Sequence, residues 1–394
     1  MIFAHKIALD LTGQQEVYCR QAAGTARFTY NWGLAHWQMQ YRNGEKPTAA
    51  TLKKQWNAIK YERYPWLSDI HRDAHAQPFT NLNTAFQKFF RHEAQYPTFK
   101  KKGRHDSFYL ANDKVHIQGK RLRIPKLGWV RMREALRFTG KLMSATVSRT
   151  ADRWYVSFSV QIDAFPSCEN QAGWVGVDLG VTHLATLSTA EHIDGPKPLK
   201  AALKQLRRAN RTLARRVKFS ANWHKAKAKL GRLHARIAAI RTDALHKLTT
   251  RLTQSYAEVV IEDLHVKGMV RNHKLARAIS DMGFGSFRQM LTYKAEAYGC
   301  MVHVASRWFP SSKLCRMCGV LNETMRLQDR VFLCADCGHT EDRDVHAAKN
   351  LQRYPGLQGN LTPVDCRALA DAQCVSETQQ DEAGTTKSAL LFTL

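Results

Sequence analysis

The sequence predicts a multidomain α+β protein, and three observations carry that prediction. Apolar residues recur at helical spacing up to about residue 105, alternate at period two from Ser107 to Ile162, and then fall into separate apolar strands divided by long basic helices. At 394 residues the chain is well beyond the usual length of one domain, which implies two or three packed units. Four of the nine cysteines stand as two close pairs near the C-terminal end.

From Leu11 to about His105 the pattern is helical, with Phe79, Leu82, Phe86 and Phe89/Phe90 at the spacings that build one apolar stripe, read here as core. Pro97 ends that helical run, and the cationic loop Lys100, Lys101, Lys102 and Arg104 follows as a candidate phosphate contact. Between Ser107 and Ile162 short strands are punctuated by Gly119, Gly128 and Gly140, the pattern of a small barrel or curled sheet. Its outward positions are basic: Lys114, Lys120, Arg121, Arg123, Lys126, Arg131 and Arg133. Asp163 to Ala172 reads as a linker. A buried strand, Trp174 to Gly180, then turns into a hairpin around Gly180.

Lys200 to Arg251 holds sixteen Lys/Arg and one acidic residue, Asp243. Leu203, Leu206, Leu213, Val217, Leu230, Leu233, Ile237, Ile240, Leu245 and Leu248 recur near helical spacing, which predicts a helical pair with one packed face. The other face is one-signed and carries Arg207, Arg208, Arg211, Arg215 and Arg216 as candidate nucleic-acid contacts, since charge of that density repels itself unless an anion lies along it. A second apolar strand, Val259 to Leu264, precedes a helix from about Phe287 to Gly299, a third strand at Val302, the cysteines, a short helix from Val345 to Leu351, and a tail after Arg353 that is expected to be disordered.

Composition narrows the function. The chain is 44% hydrophobic and 10% aromatic, ample for buried cores, and its 60 Lys/Arg against 33 Asp/Glu give a net charge of +27. That excess points to a polyanionic partner. The longest apolar stretches fall far short of the ~20 residues that cross a bilayer, so no membrane partner is expected. The start lacks the features of a signal peptide, which suggests a cytoplasmic protein. Single, scattered Cys19, Cys168, Cys300, Cys366 and Cys374 argue against a disulfide framework.

Cys315 and Cys318, then Cys334 and Cys337, have the two-knuckle spacing of a tetrahedral metal site, each pair followed by a glycine, Gly319 or Gly338. Four thiolates with no open position imply one structural zinc ion; an iron–sulfur centre and free thiols are the alternatives. Chemistry must therefore come from elsewhere. Asp178 and Glu262 each end an apolar strand, where a carboxylate is costly unless it binds something. Asp344 opens the last helix and can point back toward the sheet. Three such carboxylates in a strongly basic protein suit a hydrolase with two Mg2+ ions ~4 Å apart over a phosphodiester, Asp178 bridging and Glu262 and Asp344 each holding one ion. Asp342 is an auxiliary candidate, and Asp263 ranks lower.

The succession Gly-Val-Asp178-Leu-Gly, Ile-Glu262-Asp-Leu, Phe309-Pro-Ser-Ser-Lys-Leu-Cys315-Arg-Met-Cys318-Gly and Cys334-Ala-Asp-Cys337-Gly-His-Thr-Glu-Asp-Arg-Asp344-Val-His-Ala-Ala-Lys-Asn-Leu resembles the TnpB family, transposon-encoded ancestors of type V CRISPR effectors. His5-Lys-Ile, Ala26-Arg-Phe-Thr-Tyr-Asn-Trp32 and Val266-Lys-Gly-Met-Val-Arg-Asn-His agree, so the likeness covers about residues 1–354. The resemblance implies a RuvC-type RNase H-like α/β nuclease core (173–314 and 339–354, with a basic helical stretch at 200–256) and an inserted zinc ribbon (315–338). It further implies an oligonucleotide-binding-like wedge β-barrel (1–10 and 106–165) carrying a helical recognition domain (11–105), with a tail at 355–394. The implied activity is RNA-guided DNA cleavage. One protein would bind one transposon-end-derived guide RNA, read a short transposon-adjacent motif, hold the guide RNA–DNA heteroduplex, and cut both strands of double-stranded DNA at one magnesium site. The family's acids carry over to Asp178, Glu262 and Asp344. His346 departs mildly from the asparagine often found there. A nuclease-silent RNA-guided repressor and an unguided nuclease or recombinase on the same fold are the alternatives.

Overall fold

A computed structural model describes residues 1–162, 172–326 and 328–357. The chain forms two compact units, Met1–Phe165 with Ala209–Ala235, and Pro166–Arg208 with Arg236–Leu394. The linker expected at 163–172 lies outside the described residues except for Ala172, and the tail lies outside them from residue 358 onward. Among the described residues no helix is long and apolar enough to cross a membrane.

Residues 1–162 of the first unit combine three α-helices with an antiparallel sheet. Strand β1 (Ile2–Asp10) leads into α1 (Gly13–Arg42), whose start is set by a reciprocal capping box between Thr12 and Gln15. Thr48 and Thr51 do the same for α2 (Ala49–Arg63), and α3 is Asp73–Phe90. Their core holds Trp32, Leu34, Leu52, Trp56, Phe79, Leu82 and Phe86. Phe90, expected in the stripe, is instead 63% exposed, because it is the last helical residue and lies beyond the packed turn that Phe86 completes.

Strands β2 (Ser107–Ala111), β3 (His116–Gln118), β4 (Arg121–Ile124), β5 (Gly128–Met132), β6 (Lys141–Thr150) and β7 (Arg153–Gln161) join β1 in a seven-stranded sheet ordered β2-β6-β7-β1-β5-β4-β3. In β7 the side chains of Trp154, Val156, Phe158 and Val160 are buried while their neighbours are not, the alternation of a half-covered sheet. The seven basic residues expected to face outward are all exposed.

The second unit is built on a mixed sheet. Strands β8 (Ala172–Asp178), β11 (Tyr256–Glu262) and β12 (Met301–Ala305) are parallel, and β9 (Ala185–Leu187) and β10 (His192–Ile193) extend it antiparallel in the order β10-β9-β8-β11-β12. The basic stretch forms α4 (Pro198–Ala214) and α5 (Ala221–Ser255), of which Ala209–Ala235 belongs to the first unit, and a short α6 (Val266–Arg271) follows β11. One face of the sheet is covered by the C-terminal half of α5 together with α7 (Ala276–Met282) and α8 (Phe284–Tyr298), through Leu245, Leu248, Leu252, Ile279, Phe287 and Leu291. The other is covered by α9 (Arg343–Leu357), six residues longer at its C-terminal end than the periodicity predicts. Between β12 and α9 the chain forms the cysteine knuckles and a two-stranded sheet of β13 (Val331–Leu333) and β14 (Thr340–Asp342).

The amides of Leu199 and Lys200 at the start of α4 each donate at 3.0 Å to the carboxylate of Asp281. Two residues assigned to the packed face of the basic helices are exposed. Val217, 79% exposed, falls in the connector between the helices rather than on either. Ile240 is 40% exposed because the buried stripe runs from Ile237 to Leu245 past Arg241, whose methylene stem packs at Gly283 and whose guanidinium reaches Asp281 at 3.7 Å.

Candidate metal centres

Strand pleating decides which way the strand-end acids face. Val175 and Val177 of β8 and Val259 and Ile261 of β11 are buried against α5 and α8. Gly176 and Val260, between them, face α9. Side chains two positions apart share a face, so Asp178 and Glu262 turn toward α9 as well. The two strands are parallel neighbours with Val177 opposite Ile261, which brings their final residues side by side.

Helix α9 supplies the third acid because it lies unusually close. A Cβ built on Gly176 would stand 1.9 Å from the Ala348 carbonyl oxygen and 2.5 Å from the Gln352 nitrogen. Gln352 Nε2 also donates to the Trp174 carbonyl at 2.7 Å. One helical turn, roughly 5.4 Å, matches two strand residues at roughly 3.3 Å each. With Gln352 at Trp174 and Ala348 at Gly176, the helix runs against the strand and carries Asp344 to the level of Asp178. Asp342 Oδ1 accepts the amides of Asp344 and Val345 at 3.0 Å each, and so caps the helix.

Electrostatics bear on the same grouping. Burial, then the charges of Asp344 and Glu262, push the Asp178 carboxyl up to about 7, with Arg343 partly opposing them. Burial and Asp263 push Glu262 up to about 7. Carboxyls raised in this way lack a compensating cation, and hard divalent ions with oxygen ligands suit such a donor set. Asp263 is otherwise engaged: Arg307 at 2.5 Å and Arg288 both bind its carboxylate and hold it below the usual range.

The four cysteine sulfurs lie within 4.8 Å of one another, with Cys315–Cys337 and Cys318–Cys334 each at 3.5 Å. Zinc–sulfur bonds of about 2.3 Å put tetrahedral sulfurs roughly 3.8 Å apart, so the set fits one zinc ion. Gly319 and Gly338 adopt φ of +77° and +71° and donate to the Cys315 and Cys334 carbonyls at 2.9 and 3.1 Å, closing the knuckles. Burial opposes ionisation of Cys315, but the amides of Cys318 and Met317 pull its thiol down to about 7.

A polar hub that sequence reasoning missed ties these knuckles to α9. Glu341 accepts from Arg316 Nε at 3.0 Å and from Lys349, with His346 Nδ1 at 3.4 Å. Burial opposes ionisation, yet Lys349 and Arg316 hold Glu341 down to about 2. His346, the departure from the family pattern, is fully buried, stacks on Phe332 at 3.8 Å and lies 2.7 Å from the Leu314 carbonyl. Asn350 Nδ2 donates to the Ser311 and Leu314 carbonyls at 2.7 Å. The sequence signal for this hub was only the spacing of Glu341, Lys349 and Asn350 around a helix start, which does not reveal the partners.

The cationic candidates are all on the surface. Lys101, Lys102 and Arg104 are exposed in their loop, while the Lys100 ammonium sits 4.2 Å over the Tyr30 ring. Arg207, Arg208 and Arg211 lie exposed on α4, and Arg215 and Arg216 in the connector after it.

Residues 157–273 match the OrfB family of IS605 elements, described as "Probable transposase", residues 284–351 match "Cas12f1-like, TNB domain", and residues 1–46 match "Helix-turn-helix domain". That last segment here is a strand followed by one continuous helix. "Putative RNA-guided DNA endonuclease InsQ" of Escherichia coli (strain K12) is 35% identical over 88% of this chain and 91% of its own. A Streptomyces pristinaespiralis protein with the same description, without the InsQ suffix, is 37% identical over 88% of each. "TnpB-like protein L79" of Acanthamoeba polyphaga mimivirus is 23% identical over half of this chain and 40% of its own. The fold resembles the protein in a Cas12f1–sgRNA–target DNA complex, with a TM-score of 0.54 over 86% of this chain and 83% of that one at 14% identity. With two such relatives each spanning 88% of it, the chain belongs to the TnpB family of IS605-type transposon proteins.

Proposed function

We propose that this protein is an RNA-guided DNA endonuclease whose Asp178, Glu262 and Asp344 form one nuclease site serving both target strands. The observation that carries the reading is the register that sets two adjacent parallel strand ends, each closing on an acid, beside the first turn of the helix seated on Gly176, with the two strand-end carboxyls raised. Two Mg2+ ions, when bound, supply Lewis-acid activation of water and stabilisation of the leaving 3′ oxygen. The chain's own part is to hold the ions: Asp178, Glu262 and Asp344 would supply the carboxylate oxygens that ligate them. Asp342 acts by fixing the first turn of α9 and serves as the auxiliary acid. Arg343, whose charge lowers Asp178 against the pull of its neighbours, favours the ionised form that ligation needs.

On this reading one zinc ion in the cysteine knuckles is structural, and Glu341 couples the knuckles to α9. The seven-stranded sheet serves as the wedge, α1 to α3 as the recognition helices, and the mixed sheet as the RuvC-like core with 315–338 as its ribbon. The net charge of +27, the exposed loop at Lys101 to Arg104 and the arginines of α4 support a guide RNA and its DNA heteroduplex as partners. The family relatives' printed names support the same activity.

The test is Asp178→Ala in protein co-purified with its RNA. Cleavage of a matched plasmid should vanish, as it should for the unaltered protein in EDTA, while guided binding of the same DNA persists. Retained cutting would mean that the wrong acid has been named, and absence of any discrete RNA would remove the guided reading.

A further inference from the structure

A cavity of about 430 Å³ opens in the first unit, lined by Gln21, Gly24, Arg27, Phe28, Trp66 and Asp69. Its size lies within the range of small-molecule sites, roughly 300–1,000 Å³. We propose that it receives a single unstacked nucleobase of the bound nucleic acid, with the adjoining backbone phosphates on the loop Lys101–Arg104. The inference rests on the nucleic-acid partnership proposed above and adds a site to it.

Gly24 is the first observation. It lies in the interior of α1, where glycine weakens a helix. Packing does not require it there, since a Cβ at Gly24 would meet only Arg27 Nη2 at 3.7 Å, an ordinary contact. Gly33 in the same helix is different, because its Cβ would press on Leu82 at 3.1 Å. What Gly24 preserves is the cavity.

The walls suit a flat ring. Trp66 is 44% exposed, held edge-on by Phe28 at 5.7 Å and by Tyr64 at 6.4 Å, and a large exposed aromatic is a stacking platform for any base. Gln21, Arg27 and Asp69 offer donors and acceptors at its edge. The phosphate loop is tied to this wall. Arg27 binds Asp106 at 3.3 Å, and the same carboxylate oxygen accepts the Gly103 amide at 3.1 Å. Next along α1, Asn31 exchanges two hydrogen bonds with the Lys100 backbone, and Tyr30 carries the Lys100 ammonium on its ring. The run Ala26 to Trp32 thus lines the cavity with Arg27 and Phe28 and anchors the cationic loop with Tyr30 and Asn31. Lys101, Lys102 and Arg104 are left exposed beside it.

The test uses the full chain freed of nucleic acid by high salt, with a short fluorescein-labelled oligothymidine and an abasic strand of equal length as probes. The unaltered protein should bind the base-bearing strand roughly ten-fold tighter than the abasic one. Gly24→Leu, which projects a branched side chain into the cavity while raising helix propensity, and Trp66→Ala should both bring that ratio to about one without altering abasic binding, and Trp66→Phe should keep most of it. Replacing Lys101, Lys102 and Arg104 together by alanine should weaken both strands and flatten the salt dependence. Equal binding of the two strands by the unaltered protein, or an unchanged ratio in Gly24→Leu, overturns the cavity assignment alone. Binding of neither strand instead overturns the nucleic-acid partnership beneath it.

Discussion

Gly176→Ala tests whether the seat of α9 on β8 sets the proposed nuclease site. The added methyl carbon would stand 1.9 Å from the Ala348 carbonyl oxygen and 2.5 Å from the Gln352 nitrogen. Both are backbone atoms, so no rotamer change relieves the clash. Reaching even a tight contact of about 3.0 Å requires the helix or strand to shift by roughly 1 Å, and such overpacking typically costs about 1–3 kcal/mol. Asp344 rides on the same helix one turn before Ala348, so its carboxylate moves with it while Asp178 stays on the strand. A misplacement of about 1 Å among reacting groups reduces turnover on the order of 10²-fold, about 2.7 kcal/mol. The assay is single-turnover cleavage of a matched plasmid by the RNA-loaded protein, beside a binding titration of the same DNA and a melting curve. Gly173→Ala, in the same strand with nothing within 4 Å of its Cβ, is the control and should be close to neutral. Cleavage by Gly176→Ala within a few-fold of the unaltered protein would refute the argument that this close approach places Asp344.

Three further expectations can be measured together. Cys315→Ser should lower soluble yield and bring zinc content, by atomic absorption, well below one ion per chain, since metal binding there contributes to folding; full occupancy would count against these ligands. The raised carboxyls make metal-free stability depend on pH. Asp178 and Glu262 bind more protons folded than unfolded between their ordinary carboxyl range and about 7, so the stability they confer is present at low pH and lost as pH rises through about 7. In EDTA the melting temperature should accordingly drop from about pH 5 to about pH 8, Asp178→Asn should flatten that fall, and Mg2+ should restore stability at the upper end. Glu341→Gln should lower the melting temperature by a few degrees, equivalent to about 1–3 kcal/mol, because Arg316 and Lys349 both lose a charged partner; zinc content should stay at one ion, separating this effect from loss of the knuckles.

Much of the candidate site was legible in the chain because its signals are local. A run such as Val175 to Asp178 encodes a buried strand ending in an acid, the cysteine spacing encodes a knuckle, and Asp342 and Asp344 mark a helix start. Each depends on residues a few positions apart, where strand pleat, turn geometry and helix capping act. Periodicity failed where the chain leaves a regular element or where a long polar stem takes an apolar place. Val217 sits in a connector, Phe90 lies past the last packed turn, and Arg241 occupies the position that Ile240 was expected to share.

Other features exist only once distant segments meet. Nothing around Gly176 in sequence says that the backbone of Ala348 will rest on it, and nothing around Glu341 says that Arg316 and Lys349 will both reach its carboxylate. Gly24 reads as an ordinary flaw in a helix until Trp66 closes the opposite wall. The amino-acid sequence alone determined which groups are candidates to bind metal or phosphate, because that is a property of side-chain chemistry and near-neighbour spacing. Tertiary structure decided which of their segments lie together, because close packing of backbone on backbone depends on contacts that no local pattern encodes.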